Sequence, residues 1–119
     1  MVEPNFKVEF LSEAVAFINK LDDKSRRKIL YNATRSSLLY DKELFKKLND
    51  EIWEFRTFYK RTYFRLFAFW DYSESPNVRV ICTHGIIKQT RKILVTDIVK
   101  AERIRNLYFE NKRKSNEKF

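Results

Sequence analysis

Glycine occurs once in the 119 residues, proline twice, cysteine once and histidine once. With Gly85 as the single glycine, neither a phosphate-binding P-loop nor a dinucleotide fingerprint can be written into the chain, and collagen-like or flexible-linker readings fall with them. Cys82 has no partner for an internal disulfide. Together with the lone His84 it cannot make a structural zinc site, so no metal or cofactor is expected. Apolar runs such as residues 66–70 are far too short for a bilayer, which needs about 20 residues. The start, Met1-Val2-Glu3-Pro4, lacks the cationic head and apolar core of a signal peptide. A soluble, cytoplasmic protein with no membrane contact is expected.

What is abundant is apolar and cationic. At 44% hydrophobic and 16% aromatic the chain can bury a core, and its length fits one modest domain. The 25 Lys and Arg against 16 Asp and Glu leave a net charge of +9, unevenly placed. Residues 1–54 are neutral overall. Residues 55–70 hold Arg56, Lys60, Arg61 and Arg65 with no acid, and residues 75–96 hold Arg79, Lys88, Arg91 and Lys92, again with no acid. Asp71 and Glu74 lie between the two windows, and residues 111–119 add a Lys-rich end. Such polarisation favours an anionic partner.

Alternation of Phe6, Val8 and Phe10 with Lys7 and Glu9 predicts a first strand. Ser12 is placed to cap a helix striped by Leu11, Ala14, Phe17, Ile18 and Leu21, and Asp22-Asp23 to cap a second over about 24–40. From Ile52 the period becomes strand-like. Segments 52–59 and 62–71 flank Lys60-Arg61 at the spacing of a tight hairpin, without the Gly or Asn usual there. A turn over 73–77 leads to a third strand, 78–84, which Gly85 ends. Thr96-Asp97 opens a last helix to about Glu110, with Ile98, Ala101, Arg105 and Tyr108 on one side. The expected architecture is α+β, β-α-α-β-β-β-α, one domain over 1–110 with a frayed basic tail over 111–119. Its antiparallel meander is packed on helices that cover one face and leave part of the other open.

Residues two apart on a strand share a face. Glu54, Arg56 and Phe58 therefore lie together, Arg65 lies with Tyr63 and Phe67, and His84 is placed with Cys82, Val80 and Val78. An Arg65 set among aromatics needs a partner. Two readings stand open: a salt bridge to Glu54 or Asp71, or an open-face guanidinium aimed at phosphate. Basic residues interleaved with Tyr and Phe also suit a strand that stacks unpaired bases. An open aromatic patch is expected around Phe67 and Phe69. His84 is the one side chain with an ordinary pKa near neutrality, and so the first candidate for proton transfer.

Three segments carry a family resemblance: Lys47-Leu48 leading into Ile52-Trp53-Glu54-Phe55-Arg56; Tyr63-Phe64-Arg65-Leu66-Phe67; and His84-Gly85-Ile86-Ile87-Lys88-Gln89-Thr90 followed by Asp97-Ile98 and Ala101. In this order and spacing the chain resembles, over roughly 6–110, the RelE/ParE superfamily of toxins from type II toxin-antitoxin systems, in its phage-derived HigB-like branch. It departs from that branch at Lys92-Ile93-Leu94, where Lys-Thr-Pro is usual, and at Gln89, where a second Lys is common.

The resemblance implies a RelE-like fold and a metal-independent endoribonuclease, an mRNA interferase that cuts mRNA in the ribosomal A site and so inhibits translation. It further implies inactivation by a cognate antitoxin, which the charge predicts to be acidic and which would be of helix-turn-helix type. The free toxin would be a monomer, and the bound form a hetero-oligomer. On this reading Arg56 and Arg65 stabilise the phosphate, His84 and Lys88 transfer protons, and Lys60, Arg61, Arg91 and Lys92 bind rRNA and mRNA backbone. Crowding by Arg91 and Lys92 is expected to favour the neutral form of Lys88. The alternatives are a ParE-like DNA gyrase inhibitor that acts by binding and a non-catalytic RNA-binding module.

Overall fold

β-Branched and aromatic residues concentrate after Ile52, and that is where the sheet forms. A computed structural model describes residues 5–39, 41–88 and 95–116. The elements are β1 (Lys7–Phe10), α1 (Ser12–Asn19), α2 (Asp23–Leu39), β2 (Phe45–Lys47), β3 (Trp53–Tyr59), β4 (Thr62–Asp71), β5 (Arg79–Lys88) and α3 (Val95–Asn116). The expected α+β class and order hold, with one strand added. The sheet runs β1-β5-β4-β3-β2, and it is mixed: β1 lies parallel to β5 while the remaining pairs are antiparallel. β2 escapes pattern reading because three residues give no period, and two of them are lysines, as suits a protected sheet edge.

The α1–α2 hairpin covers one face, where Ala14, Ile18, Ile29 and Ala33 pack on Phe55, Leu66, Ala68, Val80 and Cys82. The opposite face is left open only in part, as expected, at its Arg56, Phe58 and Lys88 end. α3 crosses it, burying Ala101 with Phe67, Phe69 and Ile81. Phe67 and Phe69 are fully buried, so the anticipated aromatic patch does not exist: their rings are the core beneath α3.

Local chemistry sets the joints. Asp22 accepts the Ser25 backbone N–H at 2.8 Å and caps α2 as expected. Ser12 does not cap α1. It is the first helical residue, and Leu11 holds the cap position without a side-chain bond. Lys60 and Arg61 both adopt positive φ, 51° and 60°, the type I′ geometry that matches strand twist. The hairpin therefore forms on two residues that tolerate left-handed backbone at some cost, held by the long β3–β4 ladder.

Gly85 does not end β5, which continues to Lys88. The glycine instead makes room: a Cβ there would lie 2.2 Å from the Phe17 ring. Just before it the pairing with β4 slips, Phe67 facing His84 and Ala68 facing Cys82, so that Thr83 is an extra residue. The bulge reverses the alternation.

α3 extends six residues past Glu110, to Asn116, and the start of the expected tail is helical. Its anchor is Asp71, a fully buried carboxylate. Tyr108 donates its hydroxyl to Asp71 Oδ2 at 2.5 Å, Lys112 approaches at 3.0 Å and Arg79 at 2.9 Å. Tyr108 and Lys112 are one turn apart and so reach the same group. Among the described residues no helix is long and apolar enough to cross a membrane.

Candidate active site

On the α3 side of the sheet, register stacks the basic residues in rows. Phe58, Tyr63 and Lys88 are cross-strand neighbours, then Arg56, Arg65 and Ile86, then Glu54, Phe67 and His84. The bulge at Thr83 brings His84 into this array. Strict alternation would have left it with Cys82 and Val80 under α1 and α2, which is where the sequence placed it.

The four proposed catalytic side chains thus share one face, at different depths. Arg65 is 1% exposed and donates from Nη1 to both oxygens of Glu54, at 2.7 and 3.0 Å. The salt-bridge reading of Arg65 is therefore the observed one, because a guanidinium at this depth requires a carboxylate beside it. Arg56 Nε lies 3.4 Å from the same Glu54, with its side chain 22% exposed. Lys88 is also partly exposed.

His84 is 3% exposed and stacks on Phe67 at 4.8 Å. Its Nδ1 lies 3.0 Å from Thr83 Oγ1, and that hydroxyl donates to the Phe67 carbonyl at 3.3 Å. With the hydroxyl proton assigned to the Phe67 carbonyl, Thr83 accepts from Nδ1–H, which places the lone pair of His84 on Nε2. Nε2 is buried without a hydrogen-bond partner. It faces Asp97 Oδ1 at 3.8 Å, and Lys88 Nζ lies 3.8 Å from Oδ2 of the same carboxylate. Burial and the charge of Lys100 hold the imidazole below its ordinary pKa, against the pull of Asp97 and Glu13.

Sequence reading had no acid near His84 and Lys88. Asp97 corrects this. It was legible only as a residue of a helix start, and the tertiary fold returns it to the end of β5. Arg79, from the same acid-free window, meets Asp71, Glu9 and Glu74 in the same way.

Lys60 and Arg61 are exposed at the β3–β4 turn, while Arg91 and Lys92 lie outside the described residues. A groove of about 600 Å³ near Arg79, Leu107 and Tyr108 includes none of the sequence-predicted site residues. Among the described residues no group of His, Cys, Asp or Glu could hold a metal ion.

The profile of a known family, Phage derived protein Gp49-like (DUF891), matches residues 16–106, most of the chain. The chain belongs to the Gp49-like family. The Gp49-like match takes in both sheet faces and the whole Glu54, Arg56, Arg65, His84, Lys88 and Asp97 group, and stops within α3 before Tyr108 and Lys112. No curated protein matches this Gp49-like chain.

Proposed function

We propose that the protein is the toxin of a type II toxin-antitoxin system, a ribosome-dependent mRNA endoribonuclease of RelE-like fold. The observation that carries this reading is the Thr83–His84–Asp97 line. Thr83 fixes the tautomer, Nε2 keeps a basic lone pair, and Asp97 is placed to hold the imidazolium once it forms.

In the reaction His84 Nε2 removes the proton of a ribose 2′-OH, and the oxygen attacks the adjacent phosphorus. The bond from phosphorus to the 5′-oxygen breaks, leaving a 2′,3′-cyclic phosphate and a 5′-hydroxyl. Arg56 and Lys88, the two partly exposed cations of the array, neutralise the added charge. Lys88 gives the proton to the leaving oxygen. Arg65 does not touch the RNA in this scheme: it compensates Glu54, which in turn positions Arg56. His84 is buried in the free chain, so on this reading its ring must become accessible before cleavage. An acidic antitoxin would bind the cationic rim, with affinity that falls as salt rises.

The test follows a labelled message in a translating extract and the same message alone. Cleavage in the extract only, abolished by His84→Ala and by Lys88→Ala, is expected. Intact message with loss of plasmid supercoiling would overturn the nuclease reading in favour of a gyrase-binding protein.

A further inference from the structure

Phe58 is an anomaly of the α3 face. It is 56% exposed, whereas the other large rings of its strand, Trp53, Phe55 and Tyr59, are buried or partly buried. It pairs directly with Tyr63 across the β3–β4 ladder, the rings stacked at 4.4 Å and 30°. Pairing of β2 with β3 ends at Phe55, and Arg56 N–H to the Leu44 carbonyl, at 2.7 Å, is the last backbone bond on that side. Among the described residues, β3 at Phe58 is therefore the sheet edge. The ring stacks on Tyr63 and is otherwise largely exposed at this edge.

Cations flank the Phe58–Tyr63 pair along the sheet register. Lys88 is the next member of its row, Arg56 stands two residues back on the same face, and the exposed Lys60-Arg61 turn follows. The acids that reach this end of the face, Glu54 and Asp97, are engaged by Arg65, Arg56 and Lys88.

We propose that Phe58, backed by Tyr63, is a stacking platform for an unpaired base of single-stranded RNA. A planar ring with one open flank binds any base, and cations at either side neutralise the flanking phosphates. The inference rests on the RNA-directed reading above and adds to it the form of the substrate: single-stranded, with at least one splayed base. An acidic protein would satisfy the cations but not the ring.

The experiment measures fluorescence anisotropy of a labelled 12-nucleotide oligoadenylate with the full chain, against a 12-base-pair RNA duplex and a poly-glutamate peptide. Phe58→Ala is expected to weaken single-strand binding by roughly 5- to 150-fold, the range for loss of one stacked base, with duplex binding unchanged. Phe58→Trp should retain it. Phe58→Leu keeps apolar bulk without a π face and replaces the alanine variant if that does not fold by circular dichroism.

Unchanged single-strand binding, an equal loss on the duplex or the peptide, or no single-strand binding by the parent chain would each overturn the proposal. The readout is binding. Phe58-dependent binding with intact message in the extract would sink the nuclease and leave the platform, and the reverse result would do the opposite.

Discussion

Glu54 and Arg65 sit diagonally across the β3–β4 ladder and close a buried ion pair, with Nη1 within 3.0 Å of both carboxylate oxygens. Each has left water almost completely, so each depends on the other. Arg65→Ala strands the carboxylate and is expected to cost about 3–5 kcal/mol in urea denaturation, whereas Arg65→Met with Glu54→Leu should be nearly neutral. A double variant as unstable as the single one would show that the pair is not what the site requires.

Lys88 should behave differently. Its side chain is at the rim of the array, and Lys88→Ala is expected to change stability by less than about 0.5 kcal/mol while abolishing the proposed message cleavage. Arg65→Ala should abolish message cleavage together with the fold, because it strands Glu54. Circular dichroism of the two variants separates these outcomes.

His84 is the one histidine, so a proton NMR titration of its ring reads a single site. Burial and Lys100 lower its pKa, and the midpoint should fall below the ordinary 6.5. The unfolded chain then binds the proton more readily than the folded one. Stability should therefore decrease as pH drops from 6.5 toward the folded midpoint, and His84→Gln should flatten that slope. A midpoint above 6.5 would mean that Asp97 dominates.

Asp71 has a pH response of the same sign, to be tested in the more acid range. Burial pushes its carboxyl up, but hydrogen bonds from Ser73, Tyr108 and Lys112 outweigh this and hold it well below the carboxylate range. Its stabilisation is complete above the ordinary value of 3.8 and is lost as pH falls below that toward the folded pKa. Asp71→Asn should cost about 3 kcal/mol at pH 7 and remove part of the acid dependence, read from urea midpoints at pH 2–7. The loss should begin at the C-terminal half of α3, where hydrogen exchange would accelerate first.

Gly85→Ala places a methyl carbon into the Phe17 ring and should destabilise by about 1–3 kcal/mol. Phe17→Leu in the same chain should recover part of that loss. A double-mutant cycle with no coupling would show that strand conformation at Gly85, rather than contact with Phe17, sets the cost.

Much of the fold was legible because its signals are local. The 3.6-residue stripe of α1, the Asp22 cap and the strand periods on either side of Lys60-Arg61 each depend on neighbours in the chain, and each stands in the structure. β2 was missed because three residues carry no period. The end of α3 was missed because Lys112 is stabilised by Asp71, forty-one residues away. His84 was put on the wrong face because one inserted residue, Thr83, inverts everything after it in a strand.

The sequence by itself determined that the chain folds around aromatic strands, that it is strongly basic, and that two windows contain no acid. Whether those windows are free of acid in space was decided by the tertiary structure. Glu54 enters from one residue before the first window, and Asp97 enters from α3 beside His84 and Lys88. Asp71, Glu9 and Glu74 close around Arg79. Charge counts add along the chain, but a buried cation responds to what lies within a few ångströms, and only packing brings distant residues that close. Of the cations in those two windows, Lys60 and Arg61 stay exposed at the β3–β4 turn, and Arg56 and Lys88 are partly exposed beside Glu54 and Asp97.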